Sequence, residues 1–133
     1  MEAVEFSVAN DHPVAGPGWV YAWIHERRAF YIGATWLHPV ARAELHLHAD
    51  TTDPRSLALR EVVGALDGPP TVIAIAVSES SDRQVLKAAL IRECAERRWL
   101  ADNFIGPGRE HPESSDEVDW LAGAVTVLRP HLN

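Results

Sequence analysis

Short apolar runs along the chain predict β-strands. The runs at residues 19–25 and 29–34 are separated by a charged spacer so short that together they predict a β-hairpin. Residues 71–77 have the sequence TVIAIAV, a continuous apolar run typical of a buried strand. A weaker alternation at residues 2–9 predicts a strand at the edge of the sheet.

The segments between these runs carry helix start and stop signals. Pro39 suits a first-turn position, Asp53-Pro54 is typical of an N-cap followed by a first turn, and Pro130 stops the last helix. Residues 114–117, SSDE, have the pattern of a capping box. The predicted helices run from 37–39 to about 48, from 53 to about 66, from 81–82 to about 99 and from 114 to 129. The chain is therefore predicted to be an α+β protein.

Composition narrows the class of protein. The 133 residues are 47% hydrophobic, which is typical of a globular chain long enough for one domain with a core. The single cysteine, Cys94, excludes an intrachain disulfide and fits a reducing compartment. No apolar run approaches the roughly 20 residues that span a bilayer, and residues 1–10 lack the basic start of a signal peptide. We therefore expect a cytoplasmic protein without a membrane partner.

The formal net charge of −7 bears on the choice of partner. Nonspecific affinity for nucleic acid comes mostly from Lys and Arg that neutralise phosphates, so this charge counts against a nucleic-acid partner. Several arginines are nevertheless grouped, which leaves a local positive patch open. They are Arg27, Arg28 and Arg42 near the hairpin, and Arg92, Arg97 and Arg98 on a later predicted helix.

The candidate chemistry is concentrated in the predicted hairpin. Its first strand carries Val20 and Tyr21, and its second strand carries Tyr31, Ile32 and Gly33 in succession. Adjacent strands are expected to bring the two phenols onto one small surface. This pattern resembles the GIY-YIG nuclease family, with Val20-Tyr21 matching the end of the first triplet and residues 31–33 matching the second.

The resemblance covers residues 17–105 in the order of predicted elements as well as in the motif. It implies a small antiparallel-type sheet of three strands flanked by helices, to which this chain adds an N-terminal strand and a C-terminal helix. The expected divisions are an extension at 1–16, a GIY-YIG-like domain at 17–105, and a loop with an accessory helix at 106–133. Apolar residues at helical spacing on that last helix leave open whether it packs on this body or forms a homodimer; they are Val118, Leu121, Val125 and Leu128.

Further family positions have counterparts in the chain. Family members carry an arginine on the first helix and a histidine one turn later, and Arg42 and His46 have this relation. A late asparagine of the family is matched by Asn103. The glutamate that binds the family's metal falls at Lys87, which the helical wheel directs toward the sheet. A cationic lysine repels a metal ion, so with the tyrosines and the arginine it favours an anion pocket over a cation site.

The chemistry implied by the resemblance is endonucleolytic hydrolysis of DNA phosphodiester bonds with a divalent metal, Mg²⁺ or Mn²⁺. Tyr21 would act as or beside the general base, and Arg42 would stabilise charge on the phosphate. Tyr31, His46 and Lys87 complete the candidate catalytic set.

A working nuclease needs another ligand for the metal in place of the missing glutamate. The candidates are Glu44, His48 and Glu61. Glu44 and His48 are four residues apart and fall on the predicted apolar arc of the first helix. We favour a structural carboxylate–histidine pair at those two positions.

Two functions other than a nuclease stay open. The first is a binding module for an anion, a small ligand or a partner protein, which Lys87 and the acidic surface favour. The second is a repurposed enzyme that uses Tyr21, Tyr31, Arg42 and Lys87 in metal-free acid–base or acyl chemistry on a small substrate. Neither alternative requires a metal.

Overall fold

The computed structural model describes residues 3–7, 18–36, 39–48, 52–78, 81–105 and 115–133. The strands are β1 Ala3–Ser7, β2 Gly18–His25, β3 Arg28–Thr35, β4 Thr71–Val77 and β5 Leu100–Ile105. The helices are α1 Pro39–His48, α2 Pro54–Gly64, α3 Arg83–Glu96 and α4 Ser115–Leu128, which a short 3-10 turn, Arg129–His131, follows. The predicted loops at 10–17 and 106–113 lie outside the described residues.

The described strands form one mixed sheet in the order β1-β4-β2-β3-β5. The strands β2, β3 and β4 pair with one another antiparallel, as predicted, and the N-terminal strand β1 adds to the edge of β4, also antiparallel. The expectation of three strands with one addition is wrong, because β5 joins the other edge in parallel to β3. Its sequence, LADNFI, lacks a strand pattern, and its pairing begins with a hydrogen bond from Ala29 N to Trp99 O of 2.8 Å.

The hairpin closes through a two-residue turn. Glu26 and Arg27 have φ values of 50° and 64°, as a type I′ turn requires, and His25 pairs with Arg28 across it. Arg27 donates to Pro130 O at 3.3 Å and to Leu132 O at 3.2 Å, and Arg28 donates to Asn133 O. These two arginines of the predicted positive patch are thus engaged with backbone carbonyls that follow α4.

The two faces of the sheet carry different helices. One face packs against α3 and α4 through aliphatic residues of β2 and β4, among them Val20 and Ile75. The other face carries the aromatic residues of the hairpin and packs against α1 and α2. Leu59 of α2 is fully buried in this layer. The aromatic side of the sheet is therefore the side from which α1 supplies its polar residues.

Side-chain caps begin α2 and α3. Asp53 accepts hydrogen bonds from Arg55 N at 3.4 Å and Ser56 N at 3.3 Å, and Asp82 accepts from Gln84 N at 2.9 Å and Val85 N at 3.3 Å. The cap predicted at Asp53 is confirmed, and Asp82 caps the helix whose start is predicted at residues 81–82. The predicted end of α3 near residue 99 is too late, because the helix stops at Glu96 and the left-handed residue Arg98, with φ of 61°, turns the chain into β5.

The last helix packs on the body of the same chain. Ala124, Val125 and Leu128 are buried against α3, and Trp120 Nε1 donates to Ala76 O on β4 at 3.1 Å. Val118 is the exposed member of the predicted apolar stripe. Among the described residues, no helix combines the length and apolar character that crossing a bilayer demands.

Candidate functional site

A cleft of about 310 Å³ opens where the aromatic face of the hairpin meets the starts of α2 and α3. We call it the cleft throughout. Four of the five residues proposed from the sequence as catalytic line it, and the fifth, His46, lies directly behind Tyr21. The lining residues are Tyr21, Tyr31, Gly33, Ala34, Arg42, Asp53, Arg55, Gln84 and Lys87.

A β-bulge brings the two tyrosines to the cleft. Ile24 pairs with Ala29, but Trp23 pairs with Tyr31, so Phe30 is an extra residue in β3. This shift places Tyr31 on the same face as Tyr21, as expected, with ring centroids 6.0 Å apart. An unbroken register from the two-residue turn would place Tyr31 on the opposite face.

Gly33 leaves room for the Tyr21 ring. The two residues pair across β2 and β3, and a Cβ built on Gly33 would lie 2.5 Å from Cζ of Tyr21. Real Cβ atoms do not approach other atoms so closely. Residue 33 therefore has to be a glycine, because the phenol of Tyr21 occupies the space that a side chain there would need.

A series of hydrogen bonds leads from Tyr21 to the cap of α2. The Tyr21 hydroxyl lies 2.8 Å from His46 Nε2, and His46 Nδ1 lies 2.9 Å from Ser56 Oγ. Ser56 Oγ donates to Asp53 Oδ2 at 3.0 Å. The Asp53 carboxylate can only accept, so the Ser56 hydroxyl donates to it and the Ser56 oxygen accepts from His46 Nδ1–H. In a neutral imidazole the other nitrogen, Nε2, then carries no proton and accepts from the Tyr21 hydroxyl.

His46 is a neutral imidazole fixed from several sides. Burial lowers its pKa to about 4, and the neighbouring charge of Arg42 acts in the same direction. Its ring packs edge-on against Tyr31 at a centroid distance of 5.4 Å, and its carbonyl accepts from Arg60 Nε at 2.6 Å. At neutral pH its Nε2 is therefore available as an acceptor.

Tyr21 remains a phenol. Burial raises its pKa far above the usual range, repulsion from an ionised Tyr31 would raise it further, and Arg42 opposes both effects. Burial also raises the pKa of Tyr31. Both hydroxyl groups thus keep their protons at neutral pH, which agrees with donation from Tyr21 to His46.

The cleft is rich in cationic groups. Arg42, Arg55 and Lys87 line it together with one carboxylate, that of Asp53. Asp53 already accepts from two backbone amides and from Ser56 Oγ, and the Ser56 hydrogen bond is the main reason that its pKa is lowered. The buried Nε of Arg42 has no acceptor within the described part of the chain.

The described lining does not fit a divalent metal. Mg²⁺ and Mn²⁺ need several oxygen ligands, whereas Lys87 contributes a positive charge and Asp53 is engaged as a helix cap. Glu61 is exposed on α2 and does not line the cleft. The side chain of Glu44 lies outside the described residues.

Another candidate metal residue is placed differently from the prediction. The sequence predicts His48 on the buried, apolar side of α1. In the structure His48 is exposed and lies outside the cleft lining. The buried positions of α1 include Val40, Ala43 and His46, because the helix turns its Arg42–His46 side toward the hairpin. The predicted position of His48 on the apolar arc of α1 is therefore wrong, whereas its pairing with Glu44 stays a prediction.

Three motif residues have no place in the cleft. Val20 and Ile32 point to the opposite face of the sheet and pack in the aliphatic core. Asn103 is exposed on β5 and borders a separate depression near Phe30. A cluster of His25, Glu26 and Asp67 at the hairpin turn has ligand atoms within 4.8 Å of one another, but its carboxylates are exposed and it lies outside the cleft lining.

Four contributors to the site were not foreseen as functional residues. Asp53 was identified only as a helix cap, and Ser56, Arg55 and Gln84 were not singled out. The spacing of Asp53 and Ser56 signals a cap. Nothing in the sequence indicates that the Ser56 hydroxyl also meets a histidine ten residues earlier in the chain.

Comparison of the chain with protein-family models, with curated proteins and with solved structures finds no match. The GIY-YIG resemblance thus stays a resemblance of residues and of element order. A function for this α+β protein has to be argued from the cleft itself.

Proposed function

We propose that the cleft binds the phosphate group of a phosphoester. The observation that carries this proposal is the convergence of Arg42, Arg55 and Lys87 on a cleft whose described lining contains one, already engaged, carboxylate. Guanidinium groups present forked N–H donors that match phosphate oxygens, and a lysine adds a compact positive charge. The Tyr31 phenol, which keeps its proton, adds a neutral hydroxyl group to the same lining.

The charge of the whole protein favours a compact ligand. With a net charge of −7, the surface repels a long polyanion, while a small cleft can still concentrate positive potential. Arg27 and Arg28 lie at the hairpin turn and do not line the cleft, so they do not extend its positive charge. The proposed ligand is therefore a small phosphoester.

Calorimetric titration with inorganic phosphate and with ribose 5-phosphate tests the proposal. Arg42→Gln and Lys87→Gln should each weaken binding about tenfold or more, because each removes a charge-assisted hydrogen bond. Arg92→Gln is the matched control, since it removes the same charge from α3 outside the cleft lining. Heat of binding that is absent in the wild type, or equal in all variants, would contradict a phosphate site.

A second candidate function is hydrolysis of a phosphodiester, including DNA as the resemblance implies. The hydrogen-bonded series from Tyr21 to Asp53 favours it. Water would form the new bond to phosphorus and pass its proton to the Tyr21 oxygen, while Tyr21 gives its own proton to His46 Nε2. The ester bond to the leaving oxygen would break, and that oxygen would take a proton from Lys87. Arg42 would stabilise the charge on phosphorus.

We place phosphate binding ahead of hydrolysis because His46 is a weak base. A pKa of about 4 makes it a weak base at neutral pH, whereas an efficient general base has a pKa near the working pH. Turnover of bis(p-nitrophenyl) phosphate and of plasmid DNA, with and without Mg²⁺ or Mn²⁺, separates the two functions. Hydrolysis that Tyr21→Phe lowers about 100-fold supports catalysis. Phosphate binding without turnover at any pH leaves a binding module.

A further inference from the structure

An exposed tryptophan lies at the end of β3, beyond the cleft. Trp36 is 52% exposed, and the guanidinium of Arg83 covers its ring at 4.0 Å from the centroid. The backbone of Gly18 supports the same ring, since a Cβ there would lie 3.0 Å from two of its atoms. We call Trp36 and Arg83 the platform.

The platform is held in place although half of the indole faces solvent. Indole rings covered on both faces show little more than their edges, so an exposure of 52% leaves a broad apolar surface open. The other tryptophans are used in packing: Trp19, Trp23 and Trp99 are buried, and Trp120 bonds to β4. Arg83 Nε is buried without an acceptor in the described part of the chain.

The platform and the cleft adjoin along two elements. Ala34, on β3, lines the cleft. Trp36 follows it two residues later, just past the end of the strand, at roughly 7 Å along the chain. Arg83 lies four residues before Lys87 on α3, roughly 6 Å along the helix axis. Such a separation is comparable to the reach from the phosphate of a nucleotide across its sugar to its base.

We propose that the platform stacks the base of a nucleotide whose phosphate lies among Arg42, Arg55 and Lys87. This inference rests on the proposed phosphate site and names its ligand class. Bases stack on exposed tryptophan rings, and an arginine beside the ring supplies charge and hydrogen bonds. The same chemistry occurs in a nucleotide within a single strand, but the net charge of −7 favours a free nucleotide.

Calorimetry with AMP, ribose 5-phosphate and a short oligoadenylate tests the inference. AMP and ribose 5-phosphate share the phosphate and sugar, so their affinity ratio isolates the base. We expect AMP to bind the wild type roughly tenfold more tightly, from the usual strength of base stacking. Oligoadenylate that binds more tightly per molecule than AMP would assign the site to single strands instead of free nucleotides.

Variants of the platform make the test specific. Trp36→Ala and Arg83→Gln should bring the AMP to ribose 5-phosphate ratio close to one, and Trp36→Phe should keep most of it because its ring still stacks. Val118→Ala, at an exposed apolar residue of α4, should leave the ratio unchanged. Equal binding of both compounds to the wild type would overturn the base platform and leave the phosphate site standing. Binding of neither would overturn both.

Discussion

Tyr21 and Gly33 face each other across the hairpin, and the phenol of the tyrosine occupies the space that a side chain at residue 33 would need. From this position the Tyr21 hydroxyl reaches His46 Nε2 at 2.8 Å. The glycine thus permits the contact on which the hydrogen-bonded series depends.

Gly33→Ala should destabilise the protein and disturb the site. The new Cβ would collide with the Tyr21 ring, and overpacking of this kind costs about 1–3 kcal/mol in the free energy of unfolding. Urea denaturation measures the loss. Gly64→Ala is the control, because nothing lies within 4 Å of the position that its new Cβ would take, and a helical alanine stabilises by up to about 1 kcal/mol. Equal stability of the two variants would show that Tyr21 moves aside freely.

The stability of the protein should depend on pH through His46. Its pKa is about 4 in the folded chain and 6.5 ordinarily, so the unfolded chain binds more protons between these values. Stability from this group is full above pH 6.5 and is lost as the pH falls toward 4, with a loss of about 2 kcal/mol already at pH 5.

Urea denaturation at pH 7.5 and pH 5.0 measures this dependence. Between the two pH values, the wild type should lose about 2 kcal/mol more than His46→Gln, in which the titrating group is absent. Other titrating groups contribute equally to both proteins and cancel in the comparison. An identical loss in wild type and variant would mean that His46 titrates in the folded chain much as it does in the unfolded chain.

Asp53→Ala should lower the free energy of unfolding more than Asp82→Ala, the equivalent change at the start of α3. Both Asp53 and Asp82 accept from two backbone amides, and loss of such a cap costs about 0.5–2 kcal/mol. Asp53 also accepts from Ser56, which in turn bonds to His46. Its removal leaves the buried series without its final acceptor, which adds about 1 kcal/mol or more.

Comparison of Asp53→Ala with Asp82→Ala in urea denaturation checks this expectation. The shift of the His46 ring-nitrogen resonances in NMR spectra gives a second readout, because loss of the series should change the hydrogen bond at Nδ1 in Asp53→Ala alone. Equal costs together with unchanged resonances would show that Asp53 acts as a cap and nothing more.

Local signals in the sequence were sufficient to predict most strands and helices of the fold. The turn between β2 and β3, the apolar run of β4 and the cap at Asp53 depend on neighbours within a few residues, so their patterns predicted them. β5 was missed because it is held by the edge of β3 and not by its own residues. The exposure of His48 was mispredicted because helix rotation is set by packing.

For the site, the sequence by itself determined which residue types were present: two tyrosines in a hairpin, an arginine and a histidine one turn apart, and a lysine on a later helix. Only the tertiary structure decided that they meet. The bulge at Phe30 moves Tyr31 onto the face of Tyr21, because a shift of one residue in a strand reverses the direction of every side chain beyond it. Contacts between distant segments likewise decided that Ser56 orients His46 and that Trp36 stays exposed beside the cleft.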